Sequence, residues 1–176
     1  LDEVKRTYKQ LFPDGDLEEI NPYNLKKMGF SVYCRYVLQN YPSLEVYFEH
    51  LLTEQEIVDI MPYRKRYGYV VSFTNKVIEM RRELRIVEFE PNKIVSFSRL
   101  ERMGVTKANV KAFCQAVYDF AESDTFFTIG SIRNAGFDSA LFDLGFTDWF
   151  YANLLLSDSR FSNGKMLGTI VFRKDD

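Results

Sequence analysis

Two cysteines and one histidine in 176 residues leave almost no material for metal or thiol chemistry. Cys34 and Cys114, the only cysteines, read as buried free thiols, so no disulfide framework is expected and a cytoplasmic, intracellular location is. His50 has no second histidine with which to complete a zinc site. No apolar run reaches the ~18 residues of a membrane span, and there is no signal-peptide pattern. Neither sign of charge dominates: the net charge of −2 gives no global field towards nucleic acid or an anionic membrane. No Gly/Ser-rich stretch marks a flexible linker. Phosphate and calcium loops are missing too. Asn163-Gly164-Lys165 has the glycine and lysine of a hairpin turn rather than a Walker loop, and Asp14-Gly15-Asp16 lacks the rest of a calcium loop. No catalytic set, cofactor or metal site is nominated, and the chain is expected not to be an enzyme.

What the chain has is apolar bulk and one repeated pattern. Its hydrophobic fraction is 46%, with 16 Phe and 11 Tyr, enough for a core without staples. The pattern occurs three times: Leu25–Ser31, Leu100–Thr106 and Ile132–Asp138. Each copy is an apolar residue, three variable residues, Gly, an apolar residue, then Ser, Thr or Asp. Glycine suits the left-handed position that ends a helix, the next apolar residue packs back on it, and Ser, Thr or Asp caps a new one. The pattern predicts helix, tight turn, helix three times.

Thr106 is expected to cap a helix to about Ser123, whose Val110, Phe113, Cys114, Val117 and Phe120 form an apolar stripe. A short strand Phe126–Ile129, a helix Ser131–Gly136, a helix from Thr147 to about Leu156 and a hairpin turning at Asn163-Gly164 follow. That order resembles a winged-helix domain. Residues 1–75 read as a looser copy, with helices Asp2–Leu11, Asn24–Met28 and Leu44–Leu52. Strands Ile57–Met61 and Tyr69–Phe73 would flank a wing tip at Pro62–Gly68. The expected fold is therefore α+β, mostly α. Two winged-helix-like units, 1–75 and 98–176, would be joined by a basic connector, 76–97, made of a helix and a hairpin around Pro91-Asn92. The chain starts at Leu1 inside a helix and is expected to be a module of a longer protein.

The resemblance implies double-stranded DNA as partner. Between Met61 and Arg85 seven cations face two acids, a local +5. Tyr63, Arg64, Lys65 and Arg66 on the wing, with Lys76, Arg81 and Arg82 on the connector, are the candidate phosphate contacts. Leu100–Val110 also resembles the helix-turn-helix of bacterial repressors. In that register Lys107, Lys111 and Gln115 lie on one polar face suited to a groove. A regulatory DNA-binding module is the first reading. The alternative is a protein–protein module that uses Trp149 and Tyr151, since helices 44–52 and 148–156 carry acid or aromatics where base-reading cations belong.

Overall fold

A computed structural model of the chain describes residues 1–175. It is α+β, about half helix and about a fifth strand, with small antiparallel sheets. The chain divides into two compact units, residues 1–51 and 52–176.

The first unit begins with α1 (Asp2–Leu11) and a 3-10 turn, Leu17–Glu19. Next comes α2 (Pro22–Lys27), where Asn21 accepts the Asn24 N–H at 2.9 Å and Pro22 occupies the first turn. Gly29, at φ +91°, ends it. The expected new helix does not follow. Phe30-Ser31-Val32-Tyr33 has strand composition and pairs, as β1 (Phe30–Tyr33), with β2 (Tyr36–Gln39). Ser43 Oγ then accepts the Val46 N–H at the start of α3 (Leu44–Thr53), and the boundary between the units falls in the last turn of that helix.

The second unit opens with β3 (Ile57–Asp59), which pairs with a strand far along the chain instead of with residues 69–73. The expected first wing is absent: residues 61–67 form helix α4 (Met61–Tyr67). The Asp59 carboxylate accepts the Met61 N–H at 2.9 Å, and Pro62 sits in the first turn, both of which favour a helix start. The second wing strand is absent as well, because its residues lead into α5 (Val71–Arg82). Phe73, Val77 and Met80 give α5 a buried face at helical spacing. The hairpin β4 (Ile86–Glu90) and β5 (Lys93–Ser96) follows as expected, and β5 lies between β3 and β4. Residues 76–97 are thus no free-standing connector: Val87, Val95 and Phe97 lie in the same core as the helices after them.

Ser96 caps α6 (Phe97–Arg102), which ends at Gly104 with φ +91°. Thr106 and Asn109 form a reciprocal capping box on α7 (Lys107–Phe120). The expected strand at 126–129 is reduced to a single bridge, Phe127 with Phe172. Thr128 caps α8 (Ile129–Asn134), closed by Gly136 at φ +100°. A 3-10 turn capped by Ser139, rather than a full helix, comes next. α9 (Asp148–Leu155) then leads to β6 (Phe161–Met166) and β7 (Thr169–Lys174). Their two-residue turn is Leu167-Gly168, not Asn163-Gly164. A turn at 163–164 would leave only the few residues after Asp158 as its first arm. The observed register gives six cross-strand pairs and puts Phe161, Ile170 and Phe172 in the core.

Among the described residues no helix is long and apolar enough to cross a membrane. Nor do three or more of His, Cys, Asp and Glu group together to hold a metal ion.

Candidate nucleic-acid interface

α7 buries Val110, Phe113, Cys114 and Val117, so its 3.6-residue period turns Lys107, Lys111 and Gln115 outward on one face. α5 ends beside this face with Arg82 in its last turn. Arg82, Lys107, Lys111 and Gln115, nominated from two separate stretches of sequence, line one open depression of about 510 Å³ that Arg160 also borders. Arg82 is shared with a second cleft of about 240 Å³. Arg81 and Lys165 supply further charge there, and Ile78, Leu156 and Ile170 form an apolar wall.

The second unit carries seventeen cations and seventeen acids, so a basic surface depends on how they are paired. Arg99 and Arg102 hold Glu56, Arg133 holds Asp148, Arg173 holds Asp124 and Lys93 holds Glu90. Arg82, Lys107, Lys111 and Lys165 are exposed, and no carboxylate lies within ion-pair distance of them among the described residues. The Lys107 ammonium sits 5.7 Å from the Phe97 ring centre and the Lys165 ammonium 5.5 Å over the Trp149 ring, so each charge rests against an aromatic face and not against a carboxylate. The acid at the rim, Asp158, is engaged: its carboxylate accepts the Arg160 guanidinium at 2.7 Å and the Arg160 backbone N–H at 3.0 Å. Those hydrogen bonds hold Asp158 below the usual carboxylate range.

The other nominated residues lie elsewhere or are occupied. Gln115 is no free base reader: its amide accepts from Arg160 at 2.8 Å and donates to Asp119 at 2.8 Å. Tyr63, Arg64, Lys65 and Arg66 lie on α4 and line neither hollow. Lys65 and Arg66 are exposed there, with Arg66 5.4 Å from the Tyr67 ring. The Arg64 Nε is buried. Lys76 is only 9% exposed, its ammonium 3.0 Å from Glu79, so it is no surface contact. Arg81 is largely a structural charge. It donates to Asn153 Oδ1 at 2.5 Å and lies 3.5 Å from Glu88, itself 4% exposed. Burial pushes the Arg81 guanidinium down from its ordinary value; Glu88 opposes this and the nearby Arg64 adds to it.

The two aromatic candidates separate. Tyr151 is completely buried, and its hydroxyl donates to the Leu141 carbonyl at 2.6 Å, so it is core and not a partner-binding residue. Trp149 is half-buried beneath Lys165. Every residue of α9 from Phe150 to Leu155 is buried, and β4 packs along this helix. A helix enclosed in this way has no face to offer a groove. Cys114 is buried as expected, its thiol pushed up to about 12 by burial, but Cys34, also expected to be buried, is exposed because it sits in the turn between β1 and β2. His50 packs against Tyr41 at 5.3 Å.

Sequence reasoning missed Lys165, because it sat in the supposed turn. The clue was Leu167-Gly168, a glycine-containing pair flanked by longer arms. No protein-family model, curated protein or solved structure matches the chain.

Proposed function

We propose that the second unit binds double-stranded DNA through its phosphate backbone, using Arg82, Lys107, Lys111 and Lys165, and serves as a non-enzymatic regulatory module. The observation that carries this reading is the pairing pattern: Lys76, Arg81, Lys93, Arg99, Arg102, Arg133, Arg160 and Arg173 lie against carboxylates, while these four line two adjoining hollows with no carboxylate within ion-pair distance of them among the described residues. Residues 107–174 run helix, bridge, helix, helix, hairpin, with Phe127 pairing on the last strand. This order supports a winged-helix-like scaffold. The enclosure of α9 removes the usual base-reading helix, so binding is driven by phosphates and tolerant of sequence.

The test is fluorescence anisotropy of a labelled mixed-sequence duplex over a salt series. Four phosphate contacts predict a log–log salt slope of about −3.6, which is roughly a 150-fold loss of affinity between 50 and 200 mM salt. The double charge reversal Lys107→Glu, Lys111→Glu should about halve that slope. Absence of binding at low salt refutes the reading. It would favour the protein–protein alternative, whose remaining support is the exposed apolar pair Tyr69 and Val71 at the start of α5, 96% and 72% exposed.

A further inference from the structure

The β6–β7 hairpin ends in a residue that folding alone does not explain. Leu167 and Gly168 have φ of +51° and +77°, a turn in which Asn-Gly is favoured and a branched aliphatic residue is strained. Leu167 is 100% exposed, so its side chain gains nothing from burial to offset that strain. Leu84 also has a positive φ, +55°, but its side chain packs on the core. Met166 beside the tip is 64% exposed and Phe126 is 68% exposed, and together they line a groove of about 210 Å³ along the hairpin. Neither this groove nor the Arg82 cleft at the strand's other flank has a carboxylate in its wall. Lys165 stands two residues behind the tip, about 7 Å along the strand.

An apolar point with cations just behind it matches stacked bases bordered by phosphates. The apolar side chain enters the dry space between two bases while the ammonium meets the backbone outside. An exposed aromatic beside it offers a stacking face to a displaced base. We propose that the hairpin is a wedge that drives Leu167 between adjacent base pairs, with Met166 and Phe126 covering the unstacked base and Lys165 on the flanking phosphate. This rests on the DNA-binding reading above, and it adds that the bound duplex is locally unstacked.

The experiment uses the full chain, a duplex carrying 2-aminopurine and a second label for anisotropy, and the variant Leu167→Asn. Asparagine suits the turn, so this variant should melt no lower than the wild type. The wild type should raise 2-aminopurine fluorescence severalfold at saturation. The variant should keep its affinity within about fivefold, because phosphates dominate it, yet give no rise. Wild-type binding without a fluorescence rise, or an equal rise with the variant, overturns the wedge and leaves phosphate binding intact. No binding of the duplex overturns both. If the chain instead binds anionic phosphatidylserine vesicles and loses that binding on Leu167→Asn, the tip meets lipid and the wedge is wrong.

Discussion

Substituting Glu88 by Gln tests whether the arginine at the edge of the basic cleft is structural or available to a ligand. Glu88 Oε1 accepts the Asn92 N–H at 2.6 Å, a bond that a glutamine oxygen can keep. What the substitution removes is the charge 3.5 Å from Arg81. At an effective dielectric of about 20 that pair is attracted by about 5 kcal/mol before desolvation is counted. Stranding one member of a buried pair costs about 3 kcal/mol or more, and the low end applies because the Arg81 side chain keeps 19% exposure to the cleft. For a unit of this size that is a fall in Tm of roughly 12 °C. Arg64 worsens the imbalance, since two guanidiniums would then share the site without a carboxylate. Two corollaries sharpen the test. Adding Arg81→Met should make the double variant more stable than Glu88→Gln alone, because the stranded charge is gone. Millimolar phosphate should stabilise Glu88→Gln more than wild type, because an anion can replace the lost carboxylate. The assay is urea denaturation followed by circular dichroism. A loss below about 1 kcal/mol with no phosphate dependence would show that Arg81 is solvated through the cleft, and the structural role assigned to it would be wrong.

Two further outcomes follow from local geometry. With Ellman's reagent one thiol, Cys34, should react promptly in the folded chain. Cys114, buried and with its thiol pushed up to about 12, should react only on unfolding, and two prompt equivalents would contradict its placement in the core. Asp158→Asn should cost about 1 kcal/mol at pH 7, a modest figure because Arg160 is 39% exposed. The folded-state pKa of Asp158 is depressed, so its contribution is complete above the unfolded carboxylate value near 4 and is lost as pH falls through the folded value. The gap between urea melts of wild type and variant should therefore be constant above the unfolded carboxylate value near 4 and shrink as pH falls below it, and a gap that does not shrink on acidification would refute the assignment.

Helix ends were legible because their chemistry is local. Gly29, Gly104 and Gly136 all adopt the left-handed conformation expected of them, and the Thr106 cap needs only residues three apart. Strand partners were not legible at 57–73, because Ile57–Asp59 is a short apolar run whose partner, Lys93–Val95, lies more than thirty residues on. Nothing local tells such a strand from the arm of a hairpin. The hairpin at 30–39 turns through Cys34-Arg35, a pair that carries no turn signal, with Cys34 at φ +53°. Site residues divided in the same way. Helical period was enough to place Lys107 and Lys111 on one exposed face, whereas separating exposed Arg82 from buried Lys76 and half-buried Arg81 required knowing which face of α5 is covered.

The enclosure of α9 explains why the basic surface lies where it does. Trp149-Phe150-Tyr151-Ala152 with Leu154-Leu155 is apolar almost all round, so this helix needs cover on more than one side. Within its unit α7, α8 and β7 cover part of it, and the sheet edge β4, from residues 86–90, covers more. That sheet brings α5 with it, because α5 packs on β4, and so places Arg82 beside the polar face of α7. The strand cluster that closes off the helix expected to read bases is therefore what joins cations from residues 82, 107 and 111 into one surface. On the proposed reading, such a surface would meet phosphates and not base edges, and the exposed apolar tip at Leu167 is the element that would reach the bases.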